Sequence, residues 1–443
     1  MHERSPKYQL RTLNRRRLLA ATGMTAAVAL AGCTNTGPVS NITGSLPEGS
    51  PSSINEQVAE LVAGNAGFAL SLHRQLAATN EVDNVFVSPY SISMALAMTY
   101  AGADGDTETS IRETLGFSLS EETHPAFAEL QAQLDARATT NSTGGSDDVD
   151  AFQLEVANSL WGEADYPFAE EYLDLIDDSY EDGFNTADFA NEHAAERDRI
   201  NRWVADATAD RIEELIPNNG LSPQTVLVLT NAIYFMAGWE EEFDPNDTTD
   251  ATFTALDGSE STVPMMEQNL RTNYAELPGA QAIELPYVGG EVSMVLILPD
   301  DGTFETIEAE LSGPTLFGVF EALGDASGDL RMPSFEYESE IELSEVLEEM
   351  GMEAAFGPGA DFSKMVDNSG GPGINEVFHK AFVSVDEEGT EAAAATAVTM
   401  IESEPSQSFD LTFDRPFVFC IRDRPTDAIL FFGRVTDVSA AQD

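Results

Sequence analysis

Glu387-Glu388-Gly389-Thr390-Glu391-Ala392-Ala393-Ala394-Ala395-Thr396-Ala397-Val398-Thr399-Met400-Ile401 is the stretch on which the fold of this chain turns. It opens with acidic residues around one glycine, then carries no charge from Ala392 to Ile401. Local composition leaves two readings open, an alanine-rich helix or a flexible linker. The residues just before it add context. Val377, His379, Ala381, Val383 and Val385 alternate with Phe378, Lys380, Phe382, Ser384 and Asp386, the period of two that marks a strand. A strand therefore runs directly into the alanine-rich segment.

Further out, Phe417–Ile421 and Ala428–Phe432 flank Arg424-Pro425-Thr426-Asp427 and predict a buried hairpin. Thr225–Phe235 and Glu291–Leu298 are short apolar runs ended by turn residues and also read as strands. The N-terminal half reads as mostly helical. Ile54–Ala77, Ser91–Tyr100, Phe168–Tyr180 and Ala194–Leu215 all place apolar residues three and four apart. No internal repeat and no second linker divides the chain. Thr139–Asp150, rich in Gly, Ser, Thr and Asp, reads as a surface loop inside one α+β domain spanning 53–443.

The 443 residues include 78 Asp+Glu against 21 Lys+Arg, a formal net charge of -57, with 42% hydrophobic residues. That apolar fraction is enough for a packed core. The charge repels nucleic acid and anionic membrane faces and so argues against both as partners. Lys7, Lys364 and Lys380 are the only lysines, and the acidity is spread without long blocks. This pattern fits a surface that stays hydrated in strong brine, so a halophilic source is expected.

The N-terminus reads as an address. Arg4, Lys7, Arg11, Arg15, Arg16 and Arg17 precede the uncharged stretch Leu18–Ala31, which is too short for a confident membrane span. Asn14-Arg15-Arg16-Arg17-Leu18-Leu19 resembles a twin-arginine export motif, and Leu30-Ala31-Gly32-Cys33 resembles a lipobox. Residues 1–33 are thus expected to be a signal peptide ending at the lipidation site Cys33, and 34–52 a flexible tether. The expected location is the cell surface, anchored to the cytoplasmic membrane through lipid alone. Cys420 then has no partner for a disulfide and reads as an inert buried thiol. Asn41, Asn141 and Asn246 match glycosylation acceptors.

No catalytic constellation emerges. His2, His73, His124, His193 and His379 form no zinc motif, and there is no nucleophile elbow, Walker loop or dinucleotide fingerprint. Asp244, Asn246, Asp247 and Asp250 break the spacing of a calcium loop and read as a solvated loop. No metal, cofactor or enzymatic activity is expected.

Five motifs, in order, resemble the serpin family along Ile54–Val438. Asn84-Val85-Phe86-Val87-Ser88-Pro89-Tyr90-Ser91 is similar to the segment before the second helix. Thr230-Asn231-Ala232-Ile233-Tyr234-Phe235 with Trp239 resembles the strand bordering the insertion gap. His379-Lys380-Ala381-Phe382 precedes Glu387 at the family's spacing, and Asp414-Arg415-Pro416-Phe417 resembles the C-terminal signature. The fifth is Glu387-Glu388-Gly389-Thr390-Glu391-Ala392-Ala393-Ala394-Ala395, similar to the hinge of inhibitory members.

The resemblance implies a serpin fold, with helices packed on a large central mixed β-sheet, additional sheets and an exposed reactive-centre loop at about 387–410. It implies a suicide substrate for a serine or cysteine protease, whose cleaved loop inserts into the central sheet and traps the enzyme covalently. Ser88, Ser91, Asn158, Asn231 and His379 would form the shutter under the gap, and Trp239 would mark the breach at its top. Thr390, Ala392, Ala394, Thr396 and Val398 would share the inward face, all small and neutral. Two departures stand out. Ser334 occupies the place where the family often has a cation, with Arg331 the nearest, so no ion pair to Glu387 is expected. The loop is also long: counting from Glu387 puts the reactive bond at Ser403–Glu404, and counting back from Pro416 puts it at Glu404–Pro405. Most proteases reject proline just after the cut, which favours Ser403–Glu404, and Met400–Ile401 is the rival. The expected partner is an extracellular subtilisin- or chymotrypsin-like protease, met as a monomer. A non-inhibitory serpin-fold surface lipoprotein with a binding or structural role is the alternative.

Overall fold

The computed structural model describes residues 51–78, 84–140, 152–180, 183–357, 359–366, 373–374, 377–390 and 407–439. All lie in one unit, Gly49–Asp443. The helices are α1 (Pro51–Ala78), α2 (Pro89–Gly102), α3 (Gly105–Leu115), α4 (Thr123–Thr140), α5 (Glu170–Ser179), α6 (Phe189–Ala207), α7 (Phe304–Glu310), α8 (Gly313–Ala322) and α9 (Ser344–Leu347). The strands begin with β1 (Val85–Val87), β2 (Phe152–Glu163), β3 (Phe184–Ala187), β4 (Leu227–Gly238), β5 (Thr249–Thr254), β6 (Glu260–Leu277), β7 (Ala280–Pro286) and β8 (Val292–Pro299). They continue with β9 (Gly324–Pro333), β10 (Phe335–Glu342), β11 (Val377–Val385), β12 (Gly389–Thr390), β13 (Gln407–Thr412), β14 (Phe417–Asp423) and β15 (Ala428–Val435).

Two sheets result. The central sheet has six strands in the order β10-β11-β12-β4-β2-β3, and β11 also pairs directly with β4. It is mixed, because β11 runs parallel to β4 and β2 parallel to β3. The second sheet has nine strands, β1-β15-β14-β8-β7-β6-β9-β13, with β5 added to β6. The expected additional sheets are one continuous sheet among the described residues. The reason is β6, long enough to pair with β5, β7 and β9 and so to join what would otherwise be separate sheets.

The expected hairpin is β14–β15, buried along its whole length. Its Phe431 and Phe419 stack on Phe86 of β1 at 5.0 and 5.8 Å, and Phe335 and Tyr337 of β10 close over them. Burying each such ring stabilises the fold by about 1.5–3 kcal/mol, so this aromatic layer is what holds the two sheets face to face.

The half expected to be helical contains two strands of the central sheet, β2 and β3. β2 alternates apolar and polar residues from Phe152 to Val156 and then, inside a sheet covered on both faces, loses the period, so that Ala157–Gly162 is one buried run. The helix expected at Ala194–Leu215 is instead α6, which starts at the Asp188 cap and ends eight residues earlier. Ala209 and Asp210 take positive φ values of 50° and 63° and break it, and Asn201 then ties the returning chain by accepting from the Leu215 and Ile216 amides. Helix α1 begins at Pro51, inside the segment expected to be tether. Thr139 and Thr140 close α4, while 141–150 of the expected loop lie outside the described residues. No described helix is long and apolar enough to cross a membrane.

Candidate functional site

The seam between β11 and β4 is where the quoted stretch meets the sheet. Over Val377–Ala381 the two strands pair in parallel, from Val377 opposite Leu229 to Ala381 opposite Ile233. Above that the chain leaves β11 at Val385, turns through Asp386–Glu388, and re-enters the sheet as β12. Thr390 pairs with both Val385 and Ala237, and Gly389 with Gly238, antiparallel to each neighbour. The first two residues after the turn are thus wedged, buried, into the top of the seam. The loop expected at 387–410 is corrected at both ends, since Gly389–Thr390 are strand and Gln407–Asp410 belong to β13. Backbone pairing to neighbouring strands takes both pairs out of the loop.

Side chains fix this turn. The Asp386 carboxylate accepts from the Glu388 and Gly389 amides at 2.9 and 3.1 Å. The Trp239 indole donates to the Asp386 carbonyl at 3.0 Å and its amide to the Glu388 carbonyl at 2.9 Å, while the Phe243 amide donates to the Glu387 carbonyl at 2.9 Å. Glu387 accepts from the Thr248 hydroxyl at 2.5 Å. Among the described residues no cation reaches it, because Arg331 is held by Glu267 and Asp410 at 3.0 and 2.9 Å. Trp239 is buried and stacks on Tyr287 at 4.7 Å, and the Tyr287 hydroxyl lies 2.8 Å from the Thr390 hydroxyl. Tyr287 was not singled out by sequence. It follows β7 of the second sheet, far in sequence from the hinge and beyond the reach of any local pattern.

Lower down the seam, Ser88, Ser91, Asn158, Asn231 and His379 meet in one buried cluster. Ser88 caps α2, accepting from the Ser91 amide at 3.1 Å, with Pro89 at the first helical position. Its own hydroxyl donates to the Leu430 carbonyl at 2.7 Å. Asn231 donates to the Ser91 hydroxyl and to Asn158 Oδ1, both at 2.7 Å, and Asn158 and Ser91 bond each other. His379 Nδ1 meets Asn231 Oδ1, and Nε2 accepts from the Ser88 amide at 3.4 Å. One neutral tautomer satisfies both contacts, and burial pushes the imidazole down to about 3. The His379–Asn231 contact is a side-chain bond that spans β11 and β4. Anything entering the seam must break it.

Glu391, Ala392, Ala393, Ala394, Ala395, Met400, Ile401, Ser403 and Glu404 lie outside the described residues, as does Cys33. The chain resumes at Gln407, where β13 runs parallel to β9. There Gly328 is required: a Cβ would sit 1.9 Å from the Phe409 carbonyl oxygen. Cys420 is buried and its thiol pushed up to about 12, which leaves it protonated and unreactive. Asp244 accepts from the Asn246 amide and side chain in a tight turn, and no group of metal-binding side chains forms among the described residues.

A mixed central sheet with a strand start wedged into its parallel seam, over a hydrogen-bonded cluster that clasps the seam shut, is the architecture of the serpins. The family profile, Serpin (serine protease inhibitor), matches residues 63–438, and the chain belongs to this family. It is 38% identical over 371 residues to an uncharacterized serpin-like protein of Thermococcus kodakarensis, covering 83% of each chain. It is 36% identical to leukocyte elastase inhibitor A of Rattus norvegicus, over 85% of this chain and 99% of that one. Among solved structures, human thyroxine-binding globulin complexed with thyroxine matches with a TM-score of 0.72 and 29% identity, over 86% of this chain and 99% of the other. Protease inhibition, not catalysis, is what most of the family does, and some members do neither.

Proposed function

We propose that this chain is an inhibitor of an extracellular subtilisin- or chymotrypsin-like serine protease and works as a suicide substrate. The observation that carries the proposal is β12. The strand that insertion would extend has its first residues in register at the top of the seam. The next alternate residues, Ala392, Ala394, Thr396 and Val398, are small and uncharged on the face that would turn inward. In the proposed cycle the protease cleaves within 391–406, at Ser403–Glu404 or Met400–Ile401, and the freed segment zips between β4 and β11. Each new pairing replaces a parallel neighbour with two antiparallel ones, the slightly more stable geometry. About ten residues would gain on the order of twenty ladder bonds at roughly 1 kcal/mol net each, against ordering costs near 1–2 kcal/mol per residue. The uncleaved form is then a kinetic trap.

We also propose that residues 1–33 direct export and lipidation at Cys33, and that the acidic coat suits a saline exterior. Mixing the protein in high salt with a panel of such proteases tests inhibition: an adduct that survives denaturant supports it. Cleavage without adduct across the panel, and without gain in thermal stability, returns the chain to a non-inhibitory surface role.

A further inference from the structure

We infer that Tyr287 is a positioning residue for the hinge, whose hydroxyl selects Thr390 as the first inserted side chain and holds it in the sheet. Its consequence for trapping rests on the inhibitory reading above, while the contact itself is independent of it.

Tyr287 lies just past β7, and its backbone is tied to both sheets. Its amide donates to the Val292 carbonyl at 3.0 Å, the Val288 amide to Gly238 at 2.9 Å, and the Glu240 amide to Pro286 at 2.9 Å. An antiparallel bridge joins it to Trp239. The ring stacks on Trp239 with an interplanar angle of 8° and meets Phe235 edge-on at 5.1 Å. It cannot tilt away from the seam without breaking these contacts. Its one polar atom beyond the backbone is the hydroxyl, in a residue with no exposed surface. A buried phenol needs a partner, and the Thr390 hydroxyl is that partner. Thr390 is itself 2% exposed and has no other side-chain bond among the described residues. The two hydroxyls share one hydrogen bond at a buried site, and withdrawing the hinge orphans the tyrosine.

The pair also reads register. Because strand side chains alternate, a slip of one residue would present Glu391 to the Tyr287 hydroxyl in place of Thr390. A carboxylate would then enter a pocket walled by Trp239, Phe235 and the tyrosine ring, with no cation among these residues to meet it. Seating Thr390 fixes which alternate residues of the next segment turn toward the core, so insertion starts from a set register.

The test uses Tyr287→Phe, Thr390→Val, their double variant and the conservative Thr390→Ser. Phenylalanine keeps both ring contacts and deletes one hydroxyl. Hydrogen exchange of the peptide covering 385–390 is monitored in the uncleaved protein, alongside the number of molecules consumed per protease trapped. Tyr287→Phe and Thr390→Val are each expected to speed hinge exchange roughly three- to tenfold, the size of one net hydrogen bond, and to raise consumption. The double variant is expected to go no further than either single, Thr390→Ser to behave as wild type, and β14–β15 peptides to stay unchanged. Unchanged hinge exchange in Tyr287→Phe, or additive effects in the double variant, overturns the inference. If the wild type traps no protease yet its hinge exchange responds to Tyr287→Phe, the positioning role stands and the inhibitory reading falls.

Discussion

Thr396→Val is the substitution that probes the proposed insertion most sharply, because the existing register says where residue 396 must arrive. Thr390 stands opposite Ala237 on β4 and Val385 on β11, antiparallel to both. Every step forward along the hinge is one step back along each neighbour, so six steps bring Thr396 opposite Asn231 and His379 together. Those two residues now bond each other across the seam. An intervening strand moves β4 and β11 from about 4.8 Å to about twice that separation, and their bond cannot survive. His379 Nδ1–H and Asn231 Oδ1 would both be orphaned in a buried site, at about 1–3 kcal/mol each. The Thr396 side chain would point to the same face, six residues from Thr390, with one donor and one acceptor to answer both groups.

Valine has threonine's shape and neither capability. Thr396→Val should therefore leave the uncleaved protein's melting unchanged and make the loop-cleaved form less stable than cleaved wild type by about 2–6 kcal/mol, or at least about 30-fold in the insertion equilibrium. Guanidinium midpoints of both cleaved forms, at constant high salt, measure this. The stoichiometry of trapping should rise in parallel, and Thr396→Ser should restore both. Equal stability of the cleaved Val and Thr forms, within about 0.5 kcal/mol, would refute the register and the role of the cluster with it.

The same contacts set further expectations. Thr390→Arg would bury an unpaired cation beside Trp239 and Tyr287 at several kcal/mol, converting inhibitor to substrate; gel-stable adduct should vanish while cleavage persists. His379 has its imidazole depressed to about 3, so the native state prefers the neutral form and the unfolded chain takes up protons first. Its stability contribution is complete above the unfolded value near 6.5 and is lost as pH falls from there toward 3, at about 1.4 kcal/mol per unit. Comparing pH 7 with pH 5, His379→Gln should lose about 2 kcal/mol less than wild type in denaturant midpoints; identical slopes would count against it. Buried His124, depressed to about 4, adds to both proteins equally and cancels in that difference. Gly328→Ala, meeting the Phe409 carbonyl, should cost about 1–3 kcal/mol and expose the β13 segment to limited proteolysis, an effect absent from Gly324→Ala on the same strand, where an added Cβ meets nothing within 4 Å, if the close approach is the cause.

What the sequence disclosed and what it withheld divide along one physical line, the distance over which a constraint acts. The cap Ser88-Pro89, the alternation of Val377–Val385 and the uncharged run after Glu391 are local constraints on backbone shape and solvation, and each is written in consecutive residues. The same holds for β10, whose Phe335, Tyr337, Ser339 and Ile341 face inward while Glu336, Glu338, Glu340 and Glu342 face out. That strict alternation stood in the sequence and was missed, whereas β2 keeps the period only over Phe152–Val156, since burial on both faces erases it over Ala157–Gly162. Tyr287 was hidden for a different reason. Its meaning depends on a stack with Trp239 and a hydroxyl across the seam at Thr390, contacts between residues 48 and 103 positions away in the chain. The ion pair that Glu387 lacks shows the same limit from the other side. Sequence pointed to the missing cation at Ser334, but only the fold shows Thr248 taking its place and Arg331 drawn off to Asp410 on β13. In so acidic a chain cations are scarce, so a hinge held by hydroxyls and backbone amides is independent of them. It also keeps its strength in salt, where a Debye length of about 3 Å at 1 M would leave an exposed ion pair little to contribute.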